Sequence, residues 1–265
     1  MLYIDERAVE EGLSRRIILK EAFQIAFLEG LYSLPESETF TFQGGTCIRL
    51  LYGGPRYSED LDFVVSEIET PGKIFRKLET RLHKLSALFE GNIRMRVQKE
   101  AERLVRWRIY LEREDDFGST SVSVEFAAYP VYTSRLLPLN FPRGYPFSPL
   151  VLVKAEAEEE LLADKIIAVA GRKYLKGRDI FDIWLLKNKG VKVDMQMVRK
   201  KMKDYSVEFS GVTEKVLSLT ERELRQDIET YLPGVYREKI EVEGYGLLLK
   251  TAASLIKGVK RALKK

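Results

Sequence analysis

The segment Phe42 to Val65, FQGGTCIRLLYGGPRYSEDLDFVV, restricts the fold more than any other part of this chain. It reads as the end of a strand, a glycine turn, a short helix, a glycine-proline break and a strand carrying two acids. Thr39 to Phe42 is a β-type run, and Gly44 and Gly45 after it leave backbone N–H groups free to approach an anion such as phosphate. Thr46 adds a hydroxyl at the start of the helix that Gly53-Gly54-Pro55 ends. Asp60 and Asp62 then alternate with Leu61 and Phe63 ahead of Val64 and Val65. Residues two apart on a strand share a face, with Cβ atoms roughly 6 to 7 Å apart, so both carboxylates project one way and Leu61 and Phe63 enter the core.

Such a pair suits a hard cation. Mg²⁺, or Mn²⁺ in its place, takes oxygen ligands, usually one or two carboxylates with substrate phosphates and water. Two metals about 3.5 to 4 Å apart would clamp the attacking and leaving oxygens of a phosphoryl transfer. A structural alternative stands beside this: two aspartates on the wet face of an edge strand, and an ordinary glycine turn. Each half is common by itself. Their order along the chain favours nucleotide chemistry.

The run Gly44-Gly45-Thr46, followed by Arg56-x-Ser58-x-Asp60-x-Asp62-Phe63, resembles the AbiEii-type toxins of abortive-infection and toxin–antitoxin systems, members of the polymerase-β-like nucleotidyltransferases. A second block, LLADKIIAVAGRKYLKGRDIFDIWLL from Leu161 to Leu186, is similar to that family's later motif, in which one helix carries a lysine and the next opens with Arg-Asp and a further Asp. The resemblance spans about residues 15 to 190. The wider superfamily usually has Gly-Ser where this chain has Gly45-Thr46, and threonine retains the hydroxyl.

The resemblance implies an α+β fold, a nucleotidyltransferase core with a mixed sheet followed by a helical C-terminal part. The division expected is 1–150 for the core and 151–265 for the helical part, which would contribute Lys165 and Asp182 to the site. Residues 14 to 33 read as an amphipathic helix stopped before Pro35, and Gly72 to Phe89 as another, closed by Gly91-Asn92. Ile93 to Gln98, Leu104 to Leu111 and Ser121 to Ala127 read as strands. The proline-rich run 136–150 reads as the connection between the two parts. Its Phe141, Tyr145 and Phe147, with Arg135 and Arg143, either stack on RNA or pin the loop to the core. From Ala155 onward the pattern is helical.

Lys165 falls in the apolar stripe of Leu162, Ile166 and Val169, where its ammonium either snorkels at the helix edge or reaches a polar site. The resemblance makes it the residue that grips a triphosphate. Asp179 as N-cap and Asp182 in the first turn would account for both acids structurally. The resemblance puts a functional acid at one of them. Arg172 and Arg178 can contact phosphate or pair with these acids. Glu125, on the polar side of the third strand-like run, is the candidate third carboxylate and base.

Composition narrows the alternatives. One cysteine, Cys47, excludes an internal disulfide and thiolate metal cages, and one histidine, His83, excludes histidine clusters. Cys47 is expected to be a small buried residue and His83 to lie at the surface. Lys and Arg number 44 against 40 Asp and Glu, a net charge of +4, so any surface for nucleic acid must be local. The basic C-terminal run Lys250, Lys257, Lys260, Arg261, Lys264 and Lys265 is read as a solvated helix end. Asp5, Glu6, Glu10 and Glu11 interrupt any secretory leader, and no run reaches about 18 apolar residues, so no membrane association and a cytoplasmic location are expected.

The activity implied is Mg²⁺-dependent transfer of an NMP from an NTP to an acceptor hydroxyl. Gly44, Gly45, Thr46, Arg56, Ser58, Arg178 and Asp179 would bind the nucleotide. Asp60 and Asp62 would hold metal, with Lys165, Asp182 and Glu125 completing the catalytic set. The resemblance makes the tRNA 3′ end the leading acceptor and a separately encoded antitoxin the partner. A protein or small-molecule acceptor is the second reading. A non-catalytic nucleotide- or RNA-binding module is the third.

Overall fold

The computed structural model describes residues 2–114, 118–142, 144–145 and 150–264. Two compact units divide the chain, Met1–Glu156 and Ala157–Lys265. The alternating runs of the first unit form, among the described residues, β1 (Phe40–Gln43), β2 (Asp60–Val65), β3 (Asn92–Ala101), β4 (Leu104–Glu112), β5 (Thr120–Ala127), β6 (Ser134–Pro138) and β7 (Leu152–Glu156). They make one sheet in the order β3-β4-β5-β2-β1-β7-β6. The β2–β5 and β1–β7 pairs are parallel and the others antiparallel, so the sheet is mixed, as expected.

The helices of this unit are α1 (Leu2–Glu11), α2 (Arg15–Tyr32), α3 (Gly44–Tyr52) and α4 (Thr70–Leu85). Helix α2 buries residues on most of its circumference, including Leu19, Phe23, Ile25, Ala26 and Leu28, and is therefore a core helix rather than a one-sided surface one. Helix α4 buries only Ile74, Leu78 and Leu82 of its larger apolar residues, at i, i+4 and i+8. Gly30 lets the two approach: a Cβ there would lie 3.2 Å from Leu78 Cδ1 and 3.3 Å from Leu82 Cδ2. Phe40, Phe42, Phe63, Phe126 and Trp107 are fully buried in the sheet's apolar layer, with ring centroids 5.4 Å apart for Phe63 and Phe126 and 4.5 Å for Trp107 and Phe126. Burial of each such ring contributes on the order of 2 to 3 kcal/mol. Cys47 is buried and His83 exposed, both as read from the sequence.

Helix α1 was not among the sequence expectations, and two of those expectations shift. The break after α4 is made by a 3₁₀ turn, Ser86–Phe89, and by Glu90 in the left-handed region at φ 49°, rather than by Gly91-Asn92. Gly91 is required for a different reason, since a Cβ there would sit 2.8 Å from the Glu112 carbonyl oxygen. The proline-rich run 136–150 begins in β6, which ends at Pro138 on the sheet edge, and β7 pairs with β6 within the first unit. Tyr145 is buried, donates to the Ala22 carbonyl at 3.2 Å and meets Tyr3 edge-on at 5.8 Å, with Phe141 packed against it, which ties the loop to the core. Arg143 and Phe147, the other members of the aromatic-basic reading, lie outside the described residues.

The second unit contains α5 (Glu158–Gly171), α6 (Gly177–Asn188), α7 (Met195–Asp204), α8 (Val212–Ser218), α9 (Glu221–Ile228), α10 (Gly234–Glu243) and α11 (Tyr245–Leu263). Asp194 caps α7 by accepting from the N–H groups of Gln196 and Met197, and Thr220 with Glu223 forms a reciprocal capping box on α9. Lys215 donates to the carbonyls of Val169, Ala170 and Arg172, closing the C-terminal end of α5. Burial pushes its ammonium below the ordinary lysine value. Among the described residues no helix is long and apolar enough to cross a membrane.

Candidate active site

Strand β1 runs antiparallel to β2 with Gln43 opposite Asp62, which brings the glycine turn directly against the second acid. Gly44 opens α3 at φ 80°, a left-handed conformation that favours glycine. A Cβ on Gly44 would lie 2.4 Å from Asp62 Oδ2, so the carboxylate occupies the space a side chain would take. Thr46, almost fully buried, donates its hydroxyl to the Asp60 carbonyl and ties the start of α3 to the acid strand. Its hydroxyl therefore braces the site from below, while Gly44 and Gly45 remain half-exposed. Gly44→Ala is expected to cost about 1 to 2 kcal/mol of stability through its positive φ and to reduce turnover at least about tenfold by displacing the Asp62 carboxylate. Denaturant unfolding and steady-state kinetics on the same preparation measure both effects.

The loop between α3 and β2 is held by three polar residues of α2. Lys20 pairs with Glu59 at 2.9 Å, Gln24 donates to the Ser58 carbonyl at 3.1 Å, and Glu21 binds Arg49 at 2.7 Å. Arg49 also donates to the carbonyls of Gly54 and Pro55 and lies 3.8 Å above the centre of the Tyr57 ring. Arg56, read from the sequence as a nucleotide contact, is 3% exposed and donates to the Tyr57 carbonyl, and Ser58 is half-buried. Sequence reasoning missed these three α2 residues. A signal was there for two of them, because Glu21 and Gln24 are polar positions among the buried residues of this helix.

Parallel pairing of β2 with β5 sets Asp62 opposite Glu125 and Asp60 opposite Ser123. Directly paired residues share a face, so Asp60, Asp62 and Glu125 project from the same side of the sheet on strands about 4.8 Å apart. All three are partly exposed, whereas Leu61, Phe63, Val124 and Phe126 beside them are buried on the opposite face. Glu125 is bound by Arg106 of β4 at 2.6 Å, a partner the sequence did not reveal. Among the described residues no three Asp, Glu, His or Cys side chains converge as a complete metal cage. The donor set that does converge, two accessible carboxylates without thiolate or imidazole, fits a hard divalent ion that keeps its remaining positions for phosphate and water.

The second unit has its own charged cluster. Lys165 of α5 lies 3.2 Å from Asp179 and 2.7 Å from Asp182 of α6, and Arg172 reaches Asp179 at 2.6 Å. Both aspartates are 1% exposed. Helix α6 starts earlier than read from the sequence: its N-cap is Lys176, and Asp179 sits inside the first turn. The Gly177 N–H donates to Asp227 at 2.6 Å instead. Arg178 is half-buried and forms no ion pair among the described residues. A further buried lysine, Lys201 of α7, is completely enclosed and pairs with Glu160 at 2.8 Å and Asp164 at 2.9 Å. It was not singled out in the sequence.

A family model described as the nucleotidyl transferase AbiEii toxin of type IV toxin–antitoxin systems matches residues 26–242, continuing well past residue 190 into the helical unit. Among solved structures, the nucleotidyltransferase toxin MenT4 from Mycobacterium tuberculosis is 19% identical with a TM-score of 0.67, the match covering 98% of this chain and 91% of that one. JHP933 from Helicobacter pylori is also 19% identical, with a TM-score of 0.55 over 96% of this chain and 100% of that one. At such identities the likeness establishes the fold. No curated protein matches the sequence.

Proposed function

The chain belongs to the AbiEii family of nucleotidyl transferase toxins, and from that premise we propose that it transfers an NMP from an NTP to the 3′ end of tRNA in a Mg²⁺-dependent reaction centred on Asp60 and Asp62. It is a nucleotidyltransferase, and as a toxin of a type IV system it has an antitoxin as its counterpart. The observation that carries the chemistry is the placing of Asp60, Asp62 and Glu125 on one sheet face, with Asp62 seated against Gly44 at the opening of α3.

In this reading the N–H groups of the half-exposed Gly44 and Gly45 receive phosphate oxygens, helped by the positive end of α3. Asp60 and Asp62 would hold the divalent ion, which when bound supplies charge neutralisation for the phosphates. The acceptor hydroxyl forms a bond to the α-phosphorus, the α–β phosphoanhydride bond breaks, and pyrophosphate leaves with the electron pair. Glu125 is the candidate for accepting the hydroxyl proton, and Arg106 holds that carboxylate in place. Lys165, with Asp182 and Asp179 orienting it, is proposed to offset triphosphate charge. The reaction belongs in the cytoplasm, where NTPs and tRNA are available.

Pyrophosphate release measured with each NTP, a divalent ion and total tRNA tests this. Radiolabel from one NTP should enter tRNA in step with pyrophosphate. Release without labelled tRNA would move the acceptor to a protein or small molecule, and no release under any condition would leave a binding module. Excess chelator is expected to stop turnover while leaving the thermal midpoint unchanged. Undiminished transfer in chelator would remove the metal from the mechanism.

A further inference from the structure

The polar face that carries the three carboxylates continues across β4 and β3, and there it becomes basic. Register defines two rows. In one, Asp60 lies beside Ser123, Ser123 opposite Arg108, and Arg108 opposite Arg96. In the other, Asp62 lies beside Glu125, Glu125 opposite Arg106, and Arg106 opposite Lys99. At about 4.8 Å per strand, Arg108 is about 10 Å and Arg96 about 14 Å from Asp60 along its row.

Lys99 reaches this face through an irregularity in the sheet. Val97 pairs with Trp107 but Lys99 pairs with Arg106, so the extra residue between them turns Lys99 towards the polar side. Arg106 is committed to Glu125, whereas no ion pair among the described residues engages Arg96, Lys99 or Arg108. Arg96 and Lys99 are exposed and Arg108 is half-exposed. Like charges directly opposite each other on antiparallel strands destabilise the pair. Arg96 facing Arg108 is therefore an arrangement that gains from an anion laid across it, and the row leads straight to Asp60.

We propose that Arg96, Lys99 and Arg108 form the track on which the sugar–phosphate backbone of the acceptor RNA lies, its 3′ end directed along the row towards Asp60 and Asp62. This rests on the nucleotidyltransferase reading above and adds the surface and the polarity of approach. Guanidinium and ammonium contacts of this kind position a strand without reading its bases.

The test compares Arg96→Gln/Arg108→Gln with the intact chain and with a control of equal charge change on α4, Arg76→Gln/Lys84→Gln. Helix α4 belongs to the helical side of the sheet, and Arg76 and Lys84 are exposed. Two readouts are taken: anisotropy of a fluorescent single-stranded oligoribonucleotide, and KM for total tRNA and for NTP in the transfer assay. For the track variant, Kd for the oligonucleotide and KM for tRNA should rise at least tenfold, with KM for NTP and kcat at saturating tRNA kept within twofold. The slope of log affinity against log salt should become shallower by about 1.4, corresponding to two lost single-strand phosphate contacts. Its thermal midpoint should be unchanged or slightly raised as the arginine pair is relieved.

If the intact chain labels tRNA and the track variant matches it in Kd, KM and salt slope, the track is wrong while the transferase reading stands. An equal loss in the α4 control would also overturn it, since the effect would be one of net charge. A track variant that keeps RNA binding but loses an acidic protein partner would reassign the surface. If the intact chain neither binds the oligonucleotide nor labels tRNA, the acceptor reading and the track fall together.

Discussion

Asp60→Asn and Asp62→Asn should each reduce kcat by at least about a thousandfold, the range in which loss of a single charge-stabilising group at a reacting centre falls. Asparagine keeps the size of the side chain and removes the charge that would hold a divalent ion. Both aspartates are partly exposed and share one face with Glu125, so the folded state gains little from their combined negative charge. Their thermal midpoints should therefore equal or exceed that of the intact chain. The contrast between abolished turnover and retained stability is the diagnostic result, measured by single-turnover kinetics beside calorimetry. Near-normal turnover in either variant would show that the metal is held elsewhere.

Lys165 carries the other large effect, and here the structure changes the expectation. Read as one charge in an apolar helical stripe, Lys165→Met looks like a substitution the fold would accept. In the structure it takes the ammonium away from Asp179 and Asp182, both 1% exposed, while Arg172 still reaches Asp179. Removing one partner from a buried pair typically costs about 3 to 5 kcal/mol, so Lys165→Met should be severely destabilised. Adding Asp182→Asn to it removes the carboxylate that lies closer to the ammonium and should restore much of that loss. The double variant then separates the two roles of the lysine. If it is folded and inactive by orders of magnitude in kcat, the ammonium acts on the triphosphate. If it is folded and active, the cluster serves only to organise the helical unit.

Much of this was legible in the chain. The glycine turn, the helix after it and the acid strand were placed to within a residue or two, because each rests on local chemistry: a backbone conformation that favours glycine, a proline stop, a period of two. Glu125 was placed on the correct face by the same alternation. The Asp179 cap was misplaced because helix starts depend on the nearest available acceptor, and Asp227, distant in sequence, supplies it to Gly177. The proline-rich run was read as the connection between the two parts because proline counts against regular structure, yet its first residues belong to β6, where Pro138 at the end of an edge strand removes no ladder bond the sheet needs.

What the sequence determined by itself was a set of local facts: the strand, turn, helix and strand of the Phe42–Val65 segment, that two acids share a face beside a glycine turn, and that no thiolate or imidazole cluster exists to bind metal in their place. Tertiary structure alone decided which charges meet. Register between β4 and β5 put Arg106 on Glu125 and left Arg108 and Arg96 facing each other in the row of Asp60. Packing of α5 against α6 and α7 enclosed Lys165 and Lys201 among carboxylates, while other lysines of similar local pattern, such as Lys200, remained exposed. The physical reason is one of range. Backbone preference and hydrophobic period act over a few residues, whereas the neutralisation of a buried charge depends on a partner whose distance along the chain carries no information about its distance in space.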